Sequence, residues 1–165
     1  MFHVIDDEAM LRELTSAILI DYGYDVLCFE SGDQYLKYLK SPEFVNPTVV
    51  LSDVTMPGIN GYDLALEIRK AFPFQKVILI TGNSDPKNHK EAAQQVCHTL
   101  SKPFDPERLF IMLDGITACH QRQLTGKQPA YPQKCSVGSL SSCPFSCKIK
   151  DYPKMQPALN LDPRR

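Results

Sequence analysis

Hydrophobic positions along the first 120 residues alternate between short aliphatic runs and stretches with helical spacing. The aliphatic runs predict five strands, at Phe2–Ile5, 25–29, 48–51, 76–80 and His98–Ser101. The last of these is too short and polar to be assigned without the others. Helical spacing first appears in residues 8–21, at Met10, Leu11, Leu14, Ala17 and Ile18. Gly23 then indicates the end of that helix.

Four more helices are predicted from capping signals and apolar rhythm. Ser31 to Gln34 fits a capping box, and residues 62–72 have apolar residues on one side. Asp85 and Asp105 each precede a proline, which is a typical helix start. The last helix repeats apolar residues at Leu109, Phe110, Leu113 and Ile116. Alternating strands and helices predict an α/β fold with a doubly wound, five-stranded parallel sheet that is covered on both faces.

Composition and charge divide the chain near residue 122. The 165 residues are 43% hydrophobic and 22% charged, which is typical of a globular protein. The net charge of −1 hides a contrast, because residues 1–123 carry 11 basic and 17 acidic side chains, whereas residues 124–165 carry 7 and 2. We therefore expect a folded domain over residues 1–122 and a basic, proline- and cysteine-containing, largely irregular tail over residues 123–165. No run is apolar enough for a membrane span or signal peptide, so a cytoplasmic protein is expected.

Polar residues follow four of the predicted strands. Asp6 and Asp7 come after the first, Asp53 after the third, Thr81 after the fourth and Lys102 after the fifth. In a sheet of this class the working site lies at the carboxyl ends of the strands. Clustered carboxylates suit a hard cation such as Mg²⁺ and would otherwise raise one another's pKa. An aspartate can also accept a phosphoryl group, for which a cation, a lysine and a hydroxyl supply charge neutralisation.

Residues 1–120 resemble a bacterial response-regulator receiver domain, part of the two-component signalling systems. The resemblance rests on Val4 to Glu8, Asp53 to Gly61, Thr81-Gly82 and Lys102-Pro103-Phe104. It implies a flavodoxin-like fold and phosphoryl transfer from a sensor histidine kinase or a phosphotransfer protein.

The resemblance also implies a role for each matching residue. Asp53 would be the phospho-acceptor and a Mg²⁺ ligand. Asp7 would bind Mg²⁺ directly, Asp6 through water, and Thr55 through its backbone carbonyl. Lys102 would pair with Asp53 and then with the phosphoryl group, and Thr81 would turn its hydroxyl towards that group. The Lys102–Pro103 bond would be cis. Thr99 stands where the family often has an aromatic residue or histidine, so this chain departs from the usual aromatic readout.

The resulting expectation is a stand-alone or single-domain response regulator, not an enzyme, whose phosphorylation switches a surface for an unknown downstream protein. A phosphorelay intermediate is the alternative within the same class. A phosphatase with an aspartate nucleophile is a second class, although it requires Asp-x-Asp after the first strand. A metal or redox sensor that uses the tail as its input is a third.

The tail contributes cysteines rather than a recognisable module. Cys119, Cys135, Cys143 and Cys147, with His120, could supply one Zn²⁺ site, and unstructured free thiols are the alternative. No helix-turn-helix pattern is visible, so nucleic-acid binding is not expected. Cys28 and Cys97 fall in or beside strands and are interpreted as small core residues.

Overall fold

The computed structural model describes residues 1–72, 75–82 and 96–125. In chain order these residues form β1 (Phe2–Ile5), α1 (Ala9–Asp21), β2 (Val26–Phe29), α2 (Gly32–Leu39), β3 (Val49–Asp53), α3 (Gly61–Ala71), β4 (Val77–Thr81), β5 (His98–Ser101) and α4 (Pro106–Thr125). The predicted α/β fold is confirmed. The helix expected from Asp85 and the tail beyond residue 125 lie outside the described residues. No helix within the described part of the chain is long and apolar enough to cross a bilayer.

The five strands form one parallel sheet in the order β2-β1-β3-β4-β5. The chain passes from β1 to β2 on one side and returns to β3 on the other, so the strand order reverses between β1 and β3. Ile5 is paired with Ser52 across this point. The residues that follow β1 and those that end β3 therefore meet at the same edge of the sheet, where α/β folds place their sites.

Apolar side chains fill both faces of the sheet. On one face, α1 and α4 cover Phe2, Val4, Leu51, Ile78 and Leu100. On the other face, α2 and α3 cover Ile5, Val50, Val77 and Leu79. Because both faces are buried, the central strands are apolar at nearly every position, which explains why they stand out in the sequence.

Local capping holds the ends of several helices as the sequence predicts. The Ser31 hydroxyl accepts a hydrogen bond from the Gln34 amide (3.2 Å), and the Gln34 side chain accepts one from the Glu30 amide (2.8 Å). Gly23 has a positive φ of 82° just beyond α1. Asp105 accepts from the Glu107 amide at 2.9 Å at the start of α4. These contacts depend only on nearby residues, so the sequence is sufficient to predict them.

Two strands extend further than the sequence pattern indicates. β3 runs to Asp53 and β4 to Thr81, whereas their aliphatic runs end at Leu51 and Ile80. The ladder continues because the sheet pairs Asp53 with Ile80, and the Val54 amide donates to the Ile80 carbonyl at 2.9 Å. Asp53 and Thr81 therefore lie within strands rather than in the loops after them, which fixes their backbones.

The apolar residues that reveal α1 in the sequence lie largely on its outer side. Met10 is 75% exposed and Leu14 is 53% exposed, whereas the residues that α1 buries are Thr15 and Leu19. The helical period is thus confirmed, but the apolar residues that carry it divide between two faces, because Ile18 packs against the core whereas Met10 and Leu14 are exposed. This leaves an exposed apolar strip on the helix that begins beside the sheet edge described above.

Candidate functional site

The Asp53 carboxylate is buried at the carboxyl end of β3, with 4% of the residue exposed. One oxygen, Oδ2, accepts a hydrogen bond from the Thr55 amide at 2.6 Å. The other, Oδ1, lies 2.5 Å from the Nζ of Lys102. Both oxygens are therefore held in place by residues from different parts of the chain.

Lys102 joins two carboxylates across the sheet edge. Its ammonium lies 3.0 Å from Asp6 Oδ2 as well as 2.5 Å from Asp53 Oδ1. Its backbone amide donates to the Thr81 carbonyl at 2.7 Å, which ties the residue to the end of β4. The Lys102–Pro103 peptide bond is cis, as the resemblance implies. The ends of β1, β3, β4 and β5 thus meet around one ammonium group.

Asp6 is positioned by the start of α1. Its Oδ1 accepts from the Glu8 amide at 2.9 Å, and its backbone carbonyl accepts from Arg12 at 2.5 Å. Arg12 is a site residue that the sequence analysis missed. The only signal available was a basic residue in the first turn of the helix that follows an acidic strand end.

The electrostatics of the site depend on burial and on this shared lysine. Burial raises the pKa of Asp53 above its ordinary value, and the negative charge of Asp6 adds to this effect, although the hydrogen bond and charge of Lys102 oppose it. Burial by itself would lower the pKa of Lys102, but its hydrogen bonds to Asp53 and Asp6 outweigh burial, so its pKa is raised. With one ammonium and two carboxylates, the cluster keeps a negative charge that a further cation would neutralise.

The remaining predicted residues lie at this edge with different exposure. Asp7 is exposed beside Asp6, Thr55 is exposed beside Asp53, and Thr81 is buried at the end of β4. The described residues hold no group of three or more histidine, cysteine, aspartate or glutamate side chains placed to bind a metal. The structure therefore brings Asp6 and Asp53 together around Lys102, while Asp7 is exposed next to Asp6.

The donor set nevertheless fits Mg²⁺. This ion is held by oxygen atoms, takes one or two carboxylates and keeps several waters, so it does not require three clustered side chains. Asp53 and Asp6 supply buried carboxylates with excess negative charge, and Asp7 and the Thr55 backbone lie on the accessible side. A soft or nitrogen-preferring metal finds no thiolate or imidazole in this group.

The cysteines give no support to a second metal site. Cys135, Cys143 and Cys147 lie outside the described residues, as does the side chain of Cys119, so the predicted Zn²⁺ site stays a prediction. The interpretation of Cys28 as a core residue is wrong, because its side chain is exposed on β2, an edge strand. Cys97 is half-buried and packs against the core beneath α1 and α4.

Comparison with known proteins identifies the family of this domain. A family model described as the response regulator receiver domain matches residues 2–114.

The chain belongs to the response-regulator receiver family.

Relatives of this receiver domain include longer transcriptional regulators. It is 32% identical over 159 residues to the DNA-binding transcriptional regulator NtrC of Klebsiella pneumoniae, covering 96% of this chain and 31% of NtrC. It is 32% identical over 143 residues to the transcriptional regulatory protein FixJ of Bradyrhizobium diazoefficiens, covering 84% of this chain and 67% of FixJ. The chain therefore spans about a third of the length of the NtrC relative.

Solved structures show the same fold. The response regulator TrrA of Thermotoga maritima, in complex with Mg²⁺ and BeF, is 30% identical with a TM-score of 0.61, covering 70% of this chain and 96% of TrrA. A receiver domain from Clostridium thermocellum is 28% identical with a TM-score of 0.65, covering 75% of this chain and 97% of that domain.

Proposed function

We propose that this receiver domain accepts a phosphoryl group on Asp53 from a phosphohistidine and uses it, with Mg²⁺, as a switch. The observation that carries the proposal is the buried Asp53 carboxylate, whose two oxygens are held by Thr55 and Lys102. This arrangement presents a fixed nucleophile at the sheet edge. The donor is a sensor histidine kinase or a phosphotransfer protein, and the receiver acts as a phospho-accepting switch rather than as an enzyme.

The transfer consists of one bond formed and one broken. A carboxylate oxygen of Asp53 attacks the phosphorus, and the O–P bond forms as the N–P bond of the phosphohistidine breaks. The electron pair of that bond returns to the imidazole nitrogen of the donor. Asp53, Asp7 and the Thr55 carbonyl would hold Mg²⁺ directly and Asp6 through water, and the ion would supply charge neutralisation for the phosphoryl oxygens.

The switch follows from the new charge beside Lys102 and Thr81. The aspartyl phosphate carries about two negative charges where the Asp53 carboxylate carried one, and it brings phosphoryl oxygens that accept hydrogen bonds. In the structure the Lys102 ammonium is shared between Asp6 and Asp53, so a phosphoryl group on Asp53 redistributes its contacts. The hydrogen bond from the Lys102 backbone amide to the Thr81 carbonyl passes this change to the ends of β4 and β5. The half-buried Thr99 on β5 offers no aromatic ring to follow the change. We therefore propose that the readout uses the backbone of these strand ends.

The exposed strip of α1 is suited to receive the donor. Met10 and Leu14 are exposed apolar residues on a helix that begins three residues after Asp6. A partner packed on this strip lies beside the opening of the site, so its phosphohistidine can approach Asp53. Glu8, at the N-cap position of this helix, and Glu13 within it are exposed, which favours a partner surface that is apolar at its centre and basic at its edge.

Two expectations about the wider protein stay predictions. A stand-alone regulator and a phosphorelay intermediate both require phosphorylation of Asp53, and the downstream target of either is unknown. The relatives named above are transcriptional regulators, one of them DNA-binding by name, and we propose no nucleic-acid contact for the residues that the structure describes.

Incubation with acetyl phosphate and MgCl₂, followed by intact-protein mass spectrometry, tests the proposal. Wild-type protein gains one phosphoryl group, and Asp53→Asn gains none. Asp25→Asn, which changes an exposed aspartate outside the site, retains full labelling. Undiminished labelling of Asp53→Asn would contradict the assignment, and steady hydrolysis of p-nitrophenyl phosphate would favour a phosphatase instead.

A further inference from the structure

The loop between β3 and α3, residues 54–60, is fixed on its inner side by the sheet and by α3. The Val54 amide donates to Ile80, and the Val54 carbonyl accepts from the Gly61 amide at 3.0 Å. Val54 and Met56 are buried in the core beneath α2 and α3. Thr55 lies between these two anchors, with its amide on the Asp53 carboxylate. The inner anchors do not explain what holds the outer residues of the loop, 57–59.

The first turn of α2 makes that outer contact. Asp33 Oδ2 accepts a hydrogen bond from the Ile59 amide at 3.3 Å. The same oxygen would lie only 2.0 Å from a Cβ placed on Gly58, so the carboxylate rests directly against the backbone of that residue. Gly58 has a φ of +76°, a conformation that other residues rarely adopt.

A second glycine brings the helix and the loop equally close. A Cβ on Gly32 would lie 2.6 Å from Ile59 Cγ2 and 2.9 Å from the Ile59 carbonyl oxygen. Gly32 is buried, and the capping contacts of Ser31 and Gln34 fix the turn to which it belongs. Glycine at positions 32 and 58 thus lets the first turn of α2 lie directly against the loop, with Ile59 against Gly32 and the Asp33 carboxylate against Gly58.

We propose that Asp33 is a positioning residue for the phosphoryl-acceptor site, which it stabilises by holding the outer part of the 54–60 loop against α2. The inference rests on the proposed function of Asp53. Residues 57–59 begin two positions after Thr55, so a loop that is held at both sides keeps the Thr55 amide on Asp53 and its carbonyl in one orientation. Without Asp33 the loop samples other arrangements, so the Thr55 carbonyl is correctly oriented in only a fraction of the molecules. The apparent affinity for Mg²⁺, which would use this carbonyl, falls by that fraction.

The expected effect is on ligand affinity more than on folding. Removal of groups that orient metal ligands commonly weakens metal binding by about 10–100-fold. Because Asp33 acts through backbone and its side chain is exposed, we expect Asp33→Ala to weaken Mg²⁺ binding about tenfold. Asp33→Asn keeps an acceptor oxygen for the Ile59 amide, so it should restore most of the wild-type affinity.

Two measurements on wild type, Asp33→Ala and Asp33→Asn test this role. They are isothermal titration calorimetry with MgCl₂ and the ¹⁵N–¹H correlation spectrum of the Mg²⁺-free proteins. For Asp33→Ala we expect the weaker affinity, a shifted Thr55 amide resonance and faster hydrogen exchange at Thr55, with a far-UV circular dichroism spectrum that matches wild type. A purely structural role would lower the melting temperature and leave Mg²⁺ affinity and the Thr55 resonance unchanged, which would overturn the proposal.

A double-mutant cycle with Gly58 provides a second test that does not depend on Asp33→Ala alone. Gly58→Ala places a methyl group against the Asp33 carboxylate, so we expect it to weaken Mg²⁺ binding in the wild-type background. In the Asp33→Ala background the clash is gone, and the additional loss should be smaller. Equal losses in both backgrounds would show that the two residues are not coupled.

Failure of the proposed function is recognised separately. If wild-type protein binds no Mg²⁺ and is not labelled by acetyl phosphate, the function assigned to Asp53 is wrong. The Thr55 resonance and its exchange rate in the Mg²⁺-free protein still report whether Asp33 holds the loop. If wild type is labelled, and Asp33→Ala matches it in Mg²⁺ affinity, Thr55 resonance and Thr55 hydrogen exchange, only the positioning role is wrong.

Discussion

His3 should make the stability of this receiver domain depend on pH between about 6.5 and 4. The residue is on β1, is fully buried, and is surrounded by Phe29, Tyr35, Tyr38 and Phe44, with ring centroids 5.6 to 6.2 Å from its own. Its Nδ1 lies 3.2 Å from the Tyr35 hydroxyl, and its Nε2 has no hydrogen-bond partner among the described residues. A charged imidazolium has little to stabilise it in such a site.

The magnitude follows from the change in pKa on folding. Burial lowers the pKa of His3 from 6.5 to about 4. Because the folded-state pKa is the lower one, the unfolded chain binds the proton first as the pH falls. The folded state therefore loses stability as the pH falls below 6.5, and the loss levels off below the folded-state pKa. Between pH 7 and pH 4 it amounts to about 3 kcal/mol, a large part of the 5–15 kcal/mol typical of a domain.

Urea unfolding followed by circular dichroism at pH 7, 6, 5 and 4 measures this loss. His3→Phe keeps an aromatic ring and cannot titrate, so the difference in unfolding free energy between wild type and this variant should move by about 3 kcal/mol across the range. Carboxylates titrate in both proteins and cancel in the difference. Tyr35→Phe is the matched control, because it removes the hydrogen bond and leaves His3 able to titrate. Parallel stability curves for wild type and His3→Phe would refute the reasoning.

Three further outcomes are expected. Leu14→Glu should slow phosphoryl transfer from a phosphohistidine donor by about tenfold and leave labelling by acetyl phosphate unchanged. The control Leu66→Glu, on the exposed side of α3, should affect neither reaction. If Leu14→Glu slowed both reactions equally, a docking role for α1 would be contradicted. Gly61→Ala places a Cβ 2.2 Å from the Asp53 carbonyl oxygen and should lower the unfolding free energy by about 1–3 kcal/mol. Gly82→Ala, which has open space around it, serves as the comparison, and equal stability of the two variants would argue against close packing behind Asp53. In Mg²⁺-free protein, the ¹³C chemical shift of the Asp53 carboxyl group should report a pKa above the ordinary 3.8. Lys102→Met should raise this pKa further because the opposing hydrogen bond and charge are lost. A pKa below 3.8 in wild type would show that the lysine outweighs burial.

Much of the fold is predictable because its signals are local. The central strands β1, β3 and β4 are buried on both faces, so each one appears as a largely apolar run. In contrast, β5 is short and polar because it lies at an edge of the sheet. The caps at Ser31 and Asp105 act on amides two or three residues away. The site residues could be placed for a similar reason, since parallel strands bring their carboxyl ends to one edge whatever the loops between them do.

The sequence by itself therefore determined the order of elements and the identity of the residues at the sheet edge. The tertiary structure decided which of those residues meet. It paired Lys102 with both Asp6 and Asp53 while leaving Asp7 exposed.

Three further contacts are visible only in the tertiary structure. Arg12 donates to the Asp6 carbonyl, the Asp33 carboxylate lies against Gly58, and His3 is surrounded by aromatic rings. It turned the apolar strip of α1 outward and left Cys28 exposed at an edge strand. The physical reason is the same in each case. Periodicity and capping depend on neighbours within a few residues, whereas burial, close backbone contact and the sharing of one cation by two carboxylates depend on segments that only packing brings together.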